Sequence, residues 1–128
     1  MHLGRLEIIY NHMVVQLSDP TQADRVFHAL ADTTRRDIVR RAMTKAHPVS
    51  ALARHYPMSF AAVQKHVAVL ERAGLITKER RGRERLVRTD IERIRAAARL
   101  LDDFEALWRG RIERMDALLA EPDTNPPS

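Results

Sequence analysis

Cysteine is absent from the 128 residues. That excludes a disulfide framework, thiolate sites for zinc or arsenic, and thiol redox sensing. Glycine occurs only four times, which leaves little room for a glycine-rich loop that cradles phosphate. Long apolar runs are missing too, and none approaches the ~18 residues needed to span a bilayer. The N-terminus lacks the basic, apolar and small-residue succession of a signal peptide. The expected location is therefore the cytoplasm, with no membrane partner. No Ser-His-Asp succession or paired-carboxylate cleft emerges, so no catalytic role is expected.

Apolar residues make up 45% and charged residues 30% of the chain, the balance of a globular protein. Lys and Arg number 22 against 17 Asp and Glu, a net charge of +5. That balance permits a polyanionic partner without requiring one. The segment 121–128, EPDTNPPS, carries three prolines and no large apolar residue, and is expected to be a disordered tail. Residues 1–120 read as one domain, rich in helix.

Leu6, Ile9, Met13 and Leu17 recur at helical spacing and predict a first helix. Asp19-Pro20 reads as an N-cap followed by a first-turn proline, with Gln22 completing the cap. The helix behind it turns Ala23, Val26, Phe27 and Leu30 to one face. Asp32 caps the next, with Ile38, Val39, Ala42 and Met43 inward and Arg35, Arg36, Arg40 and Arg41 mostly outward. Ser50 opens a short helix with Leu52, Ala53 and Tyr56. After the break at Pro57-Met58, Ser59 caps a helix over 59–73 that buries Val63, Val67 and Leu70. Gly74 reads as a C-cap. Two short strands, 75–80 and 85–88, then flank an 81–84 turn. Thr89-x-x-Glu92 reads as a capping box that starts a long helix. Its apolar positions are Ile91, Ile94, Ala98, Leu101, Phe104, Trp108, Ile112, Met115 and Leu119, alternating by three and four.

This order predicts a mainly α fold: a winged helix-turn-helix with a two-stranded β wing and a long C-terminal dimerisation helix. Along 59–73 the outward residues are Ala61, Gln64, Lys65, Ala68 and Arg72. Ala61 and Ala68 are small enough for close approach to a groove floor. Gln64 can offer a donor and an acceptor to a base edge, and Lys65 can reach guanine or phosphate. Ser59 and the free N–H groups beside it can donate to a phosphate. The same pattern also fits an ordinary core helix with a polar outer face. The hairpin is more specific. Between residues 78 and 88 lie Lys78, Arg80, Arg81, Arg83, Arg85 and Arg88 against Glu79 and Glu84. So many cations on one ribbon repel one another, and phosphate contacts would supply the missing reason for them. A solvated hairpin that blocks edge aggregation is the plainer alternative.

Two separated stretches carry a family resemblance. Residues 27–38, FHALADTTRRDI, resemble the first signature of ArsR-type transcriptional regulators. Residues 58–76, MSFAAVQKHVAVLERAGLI, resemble their recognition helix and the entry to the wing, and 80–84, RRGRE, the wing turn. The likeness runs from about Val26 to Thr89, and the long helix with Trp108 fits one branch of the family. It implies a homodimeric repressor acting on a palindromic double-stranded DNA operator. Ser59, Ala61, Gln64, Lys65 and His66 on the helix, with Arg81, Arg83 and Arg85 on the wing, become the candidate DNA-binding residues. Thr33 stands where the family usually has proline, and Gln64 where a small hydroxyl residue is frequent.

The resemblance also raises metal sensing, which the residues argue against. All six histidines (His2, His12, His28, His47, His55, His66) precede the long helix. Asp102, Asp103 and Glu105 there lack an imidazole partner. No metal or other cofactor is expected, and a small-molecule inducer stays open and unidentified. His66 reads as a packing or phosphate-contact residue. Phe104 and Trp108 read as dimer or core packing before ligand lining. A winged-helix protein-interaction module without an operator is the competing function.

Overall fold

A computed structural model describes residues 19–120. The first predicted helix and the 121–128 tail lie outside the described residues. The elements run α1 (Pro20–Leu30), α2 (Thr33–Thr44), β1 (His47–Pro48), α3 (Val49–Ala53), α4 (Phe60–Arg72), β2 (Ile76–Arg81), β3 (Glu84–Thr89) and α5 (Ile91–Ala120). They fall into two compact units that divide between Ala97 and Ala98.

Local chemistry fixes the helix starts. The Asp19 carboxylate accepts from the Thr21 N–H at 2.9 Å, and Pro20 sits in the first turn, where its missing N–H is harmless. Asp32 accepts from Arg35 N–H at 2.9 Å, and Ser59 Oγ from Ala62 N–H at 3.1 Å. These caps satisfy donors that have no partner inside their helices. The end of α4 is equally determined. Leu75 N–H donates to Leu70 C=O and Gly74 N–H to Glu71 C=O, both at 3.0 Å. This is the Schellman arrangement, with Gly74 at φ 76° and buried Leu70 and Leu75 supplying its hydrophobic contact.

The core of the first unit joins Val26 and Ala29 of α1, Ile38, Val39 and Ala42 of α2, Leu52 of α3, and Val63, Val67 and Leu70 of α4. Leu75, Ile76 and Val87 close it from the sheet side, and Ala97 from α5. Every large side chain named here is aliphatic, so α4 is seated on this core by packing.

Several boundaries differ from the expectation. The strands extend to Arg81 and Glu84, leaving a two-residue turn of Gly82 and Arg83. Gly82 has φ 59°, and among the described residues no non-glycine residue has positive φ. Positive φ at the first central residue alone is the type II′ pattern, which suits the twist of a hairpin. β1 adds a third strand, pairing His47 with Val87 and Pro48 with Leu86, so the sheet order is β1-β3-β2. Thr89 does not cap α5. Its hydroxyl is buried and donates to Val39 C=O at 2.7 Å, while Asp90 accepts from Glu92 N–H at 3.1 Å. Met43 is 47% exposed because it stands in the last turn of α2, past the core face. Arg35 and Arg41 are half-buried, each held by hydrogen bonds.

In the second unit, α5 keeps a helical run of exposed apolar residues: Leu101, Phe104, Trp108, Ile112, Met115 and Leu119, with Leu107 and Leu118 widening it. Among the described residues, no helix is long and apolar enough to cross a membrane.

Candidate nucleic-acid interface

α3, the 54–59 turn and α4 form the helix-turn-helix. Val63, Val67 and Leu70 are fully buried, which sets the rotation of α4 about its axis. That rotation leaves Ser59, Ala61, Gln64, Lys65 and Arg72 exposed together and Ala68 half-buried. The sequence reading named all of these. It missed Phe60, which opens α4 and is 48% exposed. An apolar residue between a cap and a small outward residue was the signal available.

His66 departs from that outward group. Its ring is half-buried and faces α2, with Nδ1 3.2 Å from Arg35 Nη1 and 3.9 Å from Asp32 Oδ2. Arginine can only donate, so Nδ1 accepts in this contact and the ring proton sits on Nε2. Arg35 also donates through Nε to Ala29 C=O at 2.8 Å and through Nη2 to His28 C=O at 3.0 Å. One guanidinium thus ties the end of α1 to the middle of α4. Asp32 beside it is held below the usual carboxylate range, first by the Arg35 backbone N–H, then by the Arg35 charge, with burial opposing.

A second lock fixes the turn. Tyr56 Oη donates to Asp37 Oδ2 at 2.7 Å, and Arg41 Nε donates to the same oxygen at 2.8 Å. Arg40 pairs with Oδ1. The Tyr56 hydroxyl and the two arginines bring the Asp37 carboxyl down to about 2. Burial and the adjacent Asp37 push the Tyr56 phenol up to about 12. Tyr56 precedes α4 by one short turn, so this cluster pins the helix-turn-helix to α2.

The wing sorts its cations by position. At the base, Lys78 pairs with Glu71 of α4 at 3.6 Å, and Arg88 with Glu79 at 3.3 Å. At the tip, Arg80 stands directly opposite Arg85, and Arg81 opposite Glu84. Like charges directly across a ladder destabilise it. Arg81, Arg83 and Arg85 are exposed, and no described residue gives them a hydrogen bond or ion pair. Among the described residues no three His, Asp or Glu side chains gather as a metal-ligand set.

A capped outward-facing helix after a tight turn, followed by a basic hairpin, defines a winged helix-turn-helix domain. Known proteins agree. The chain is 40% identical over 81 residues to the HTH-type transcriptional regulator Rv2034 of Mycobacterium tuberculosis, spanning 63% of this chain and 76% of that protein. The crystal structure of the ArsR family transcriptional regulator RHA00566 matches with a TM-score of 0.67 at 33% identity, over 72% of this chain and 95% of that one. The homodimeric winged helix-turn-helix DNA-binding domain of Mb0332 from Mycobacterium bovis has the same fold, with a TM-score of 0.55 at 23% identity, over 66% of this chain and 80% of that one. No family model matches the chain. On these likenesses, this chain belongs to the ArsR family of transcriptional regulators.

Proposed function

We propose that the protein is a homodimeric repressor that binds a palindromic DNA operator. In this reading α4 lies in the major groove, where Gln64 and Lys65 reach base edges and Ala61 allows close approach. Ser59 and the first free N–H groups of α4 hold a phosphate. His66, gripped by Arg35, holds the helix at its working angle. Arg81, Arg83 and Arg85 neutralise flanking phosphates. Two copies place their α4 helices in successive grooves, about one helical turn of DNA apart. The action is binding and not chemistry, and its setting is the cytoplasm.

The observation that carries this reading is the wing tip. Arg80 faces Arg85 across the ladder, with Arg81 and Arg83 beside them and Glu84 the lone acid. A hairpin stabilised for its own sake would not gather these charges. Phosphates would relieve the repulsion and release counterions. Dimerisation is supported by the wide apolar face of α5, since a monomer rarely leaves such a face to water. The Mycobacterium bovis protein of the same fold is a homodimer. Residues 1–120 would then serve as one DNA-binding and dimerisation domain.

The test is affinity for random and genomically selected duplexes across a salt series. A regulator of this kind should select a two-fold symmetric site and lose affinity steeply as salt rises. Affinity indifferent to salt, with no site selected, would favour a winged-helix protein-interaction module.

A further inference from the structure

Resting on the placement of α4 in the groove, we propose that Phe60 reads sequence directly: its ring packs on the C5-methyl of a thymine, next to an adenine held by Gln64. Phe60 is 48% exposed, whereas Val63, Val67 and Leu70 on the same helix are fully buried. The core has no need of it. The hydrophobic clasp at a helix start joins the residue before the cap to the fourth helical residue. Here those are Met58 and Val63, and both pack in the core. Among the described residues Phe60 joins no ring pair. An apolar ring left in water is unfavourable until something covers it.

The surroundings say what covers it. Gln64 lies one helical turn on and on the same side, and Ala61, which lies between the two in sequence, is small and exposed. In the major groove the thymine methyl is the apolar feature, met by Phe or Ala, and adenine N6 and N7 match the Gln amide. A ring without donor or acceptor and an amide one turn away complement the two halves of A·T pairs. The operator half-site should therefore carry an A·T step under the start of α4.

The experiment begins with duplexes selected by the wild-type protein. Each thymine of the half-site is replaced in turn by deoxyuridine, which lacks only the methyl. Wild-type affinity should fall about fourfold at one thymine per half-site, the worth of one buried methyl. Phe60→Ala should bind the thymine duplex at least about fourfold more weakly and treat thymine and deoxyuridine alike. Phe60→Leu keeps an apolar side chain at the helix start and should retain part of the discrimination. Unfolding curves matching wild type show that either variant folds. The proposal is overturned if the wild type prefers its selected site yet ignores every deoxyuridine, or if Phe60→Ala keeps the full thymine preference. It is also overturned if Phe60→Ala loses self-association in sedimentation, which would assign the ring to a protein contact. A wild type that prefers no duplex over a scrambled one would instead overturn the placement of α4 in the groove.

Discussion

The Tyr56 hydroxyl donates to Asp37 Oδ2 at 2.7 Å, across 19 residues of sequence. This bond joins the turn that precedes the recognition helix to α2, and its acceptor is a carboxylate only 17% exposed. Hydrogen bonds to charged acceptors contribute about 1.5–3 kcal/mol. Tyr56→Phe should lower stability by about that amount at neutral pH, measured by urea unfolding. The pH dependence has a definite sign. The Asp37 carboxyl falls from 3.8 to about 2 on folding. A depressed carboxyl contributes stability above its unfolded value and loses it as pH falls through the folded value. The gap between wild type and Tyr56→Phe should thus shrink between about pH 4 and pH 2. A gap unchanged at about pH 2 would mean that Tyr56 acts by packing and not through the carboxylate.

Gly74 and Gly82 both adopt positive φ, at 76° and 59°, but their surroundings differ. A Cβ on Gly74 would stand 2.8 Å from Arg93 Nε, whereas one on Gly82 would meet nothing within 4 Å. Alanine in the left-handed region costs about 1–2 kcal/mol at either site. Gly82→Ala should lose about that much. Gly74→Ala should lose more, because Arg93 lies below the α4 cap with Nε and Nη1 buried and without a hydrogen-bond partner. Adding Arg93→Ala to Gly74→Ala should remove the excess if Arg93→Ala alone is mild. Equal losses at the two glycines in thermal unfolding would show that Arg93 yields freely.

The sequence made the helices and the sidedness of α4 legible because capping residues and 3.6-residue spacing are local signals. Asp19, Asp32 and Ser59 cap as their types suggest. Partners distant in sequence were not legible. Thr89 fits the start of a capping box, yet its hydroxyl serves Val39 C=O, fifty positions away. Arg35 looks like one of several surface arginines until α1 and α4 close around it. His66 likewise lies one residue from Lys65, and its orientation depends on α2. Charge counting found the wing but could not separate its paired base, Lys78 and Arg88, from its unpaired tip.

The apolar face of α5 should hold two copies together. Leu101 and Trp108 are 54% and 59% exposed, seven residues apart on one side of the helix. Glutamate preserves helix propensity, so Leu101→Glu or Trp108→Glu should spare the fold while placing like charges in the interface. Sedimentation should show wild-type dimers at micromolar concentration and a dimer dissociation constant raised about a hundredfold or more in either variant, equivalent to about 2.7 kcal/mol. A wild-type protein that sediments as a monomer, yet binds a palindrome tightly, would remove α5 from the interface.

Base reading and phosphate holding should fail in different ways. Gln64 projects from the exposed side of α4, whereas Arg83 occupies the turn of the wing, beside Gly82. Loss of a side chain that reads a base should cost about 1–3 kcal/mol on the selected operator and relax preference at particular positions. Gln64→Ala should do so with the salt slope intact, since its amide carries no charge. Arg81→Ala or Arg83→Ala should instead weaken operator and scrambled duplex alike, each lowering the salt slope by about one unit. Lys65→Ala should follow Gln64 if its ammonium reaches guanine, and the wing arginines if it reaches phosphate. Each variant is measured on both duplexes across the same salt series. Equal losses on both duplexes for Gln64→Ala would mean that α4 does not read bases through this residue. A full salt slope in both wing variants would take the hairpin off the DNA, leaving the facing Arg80 and Arg85 to another partner.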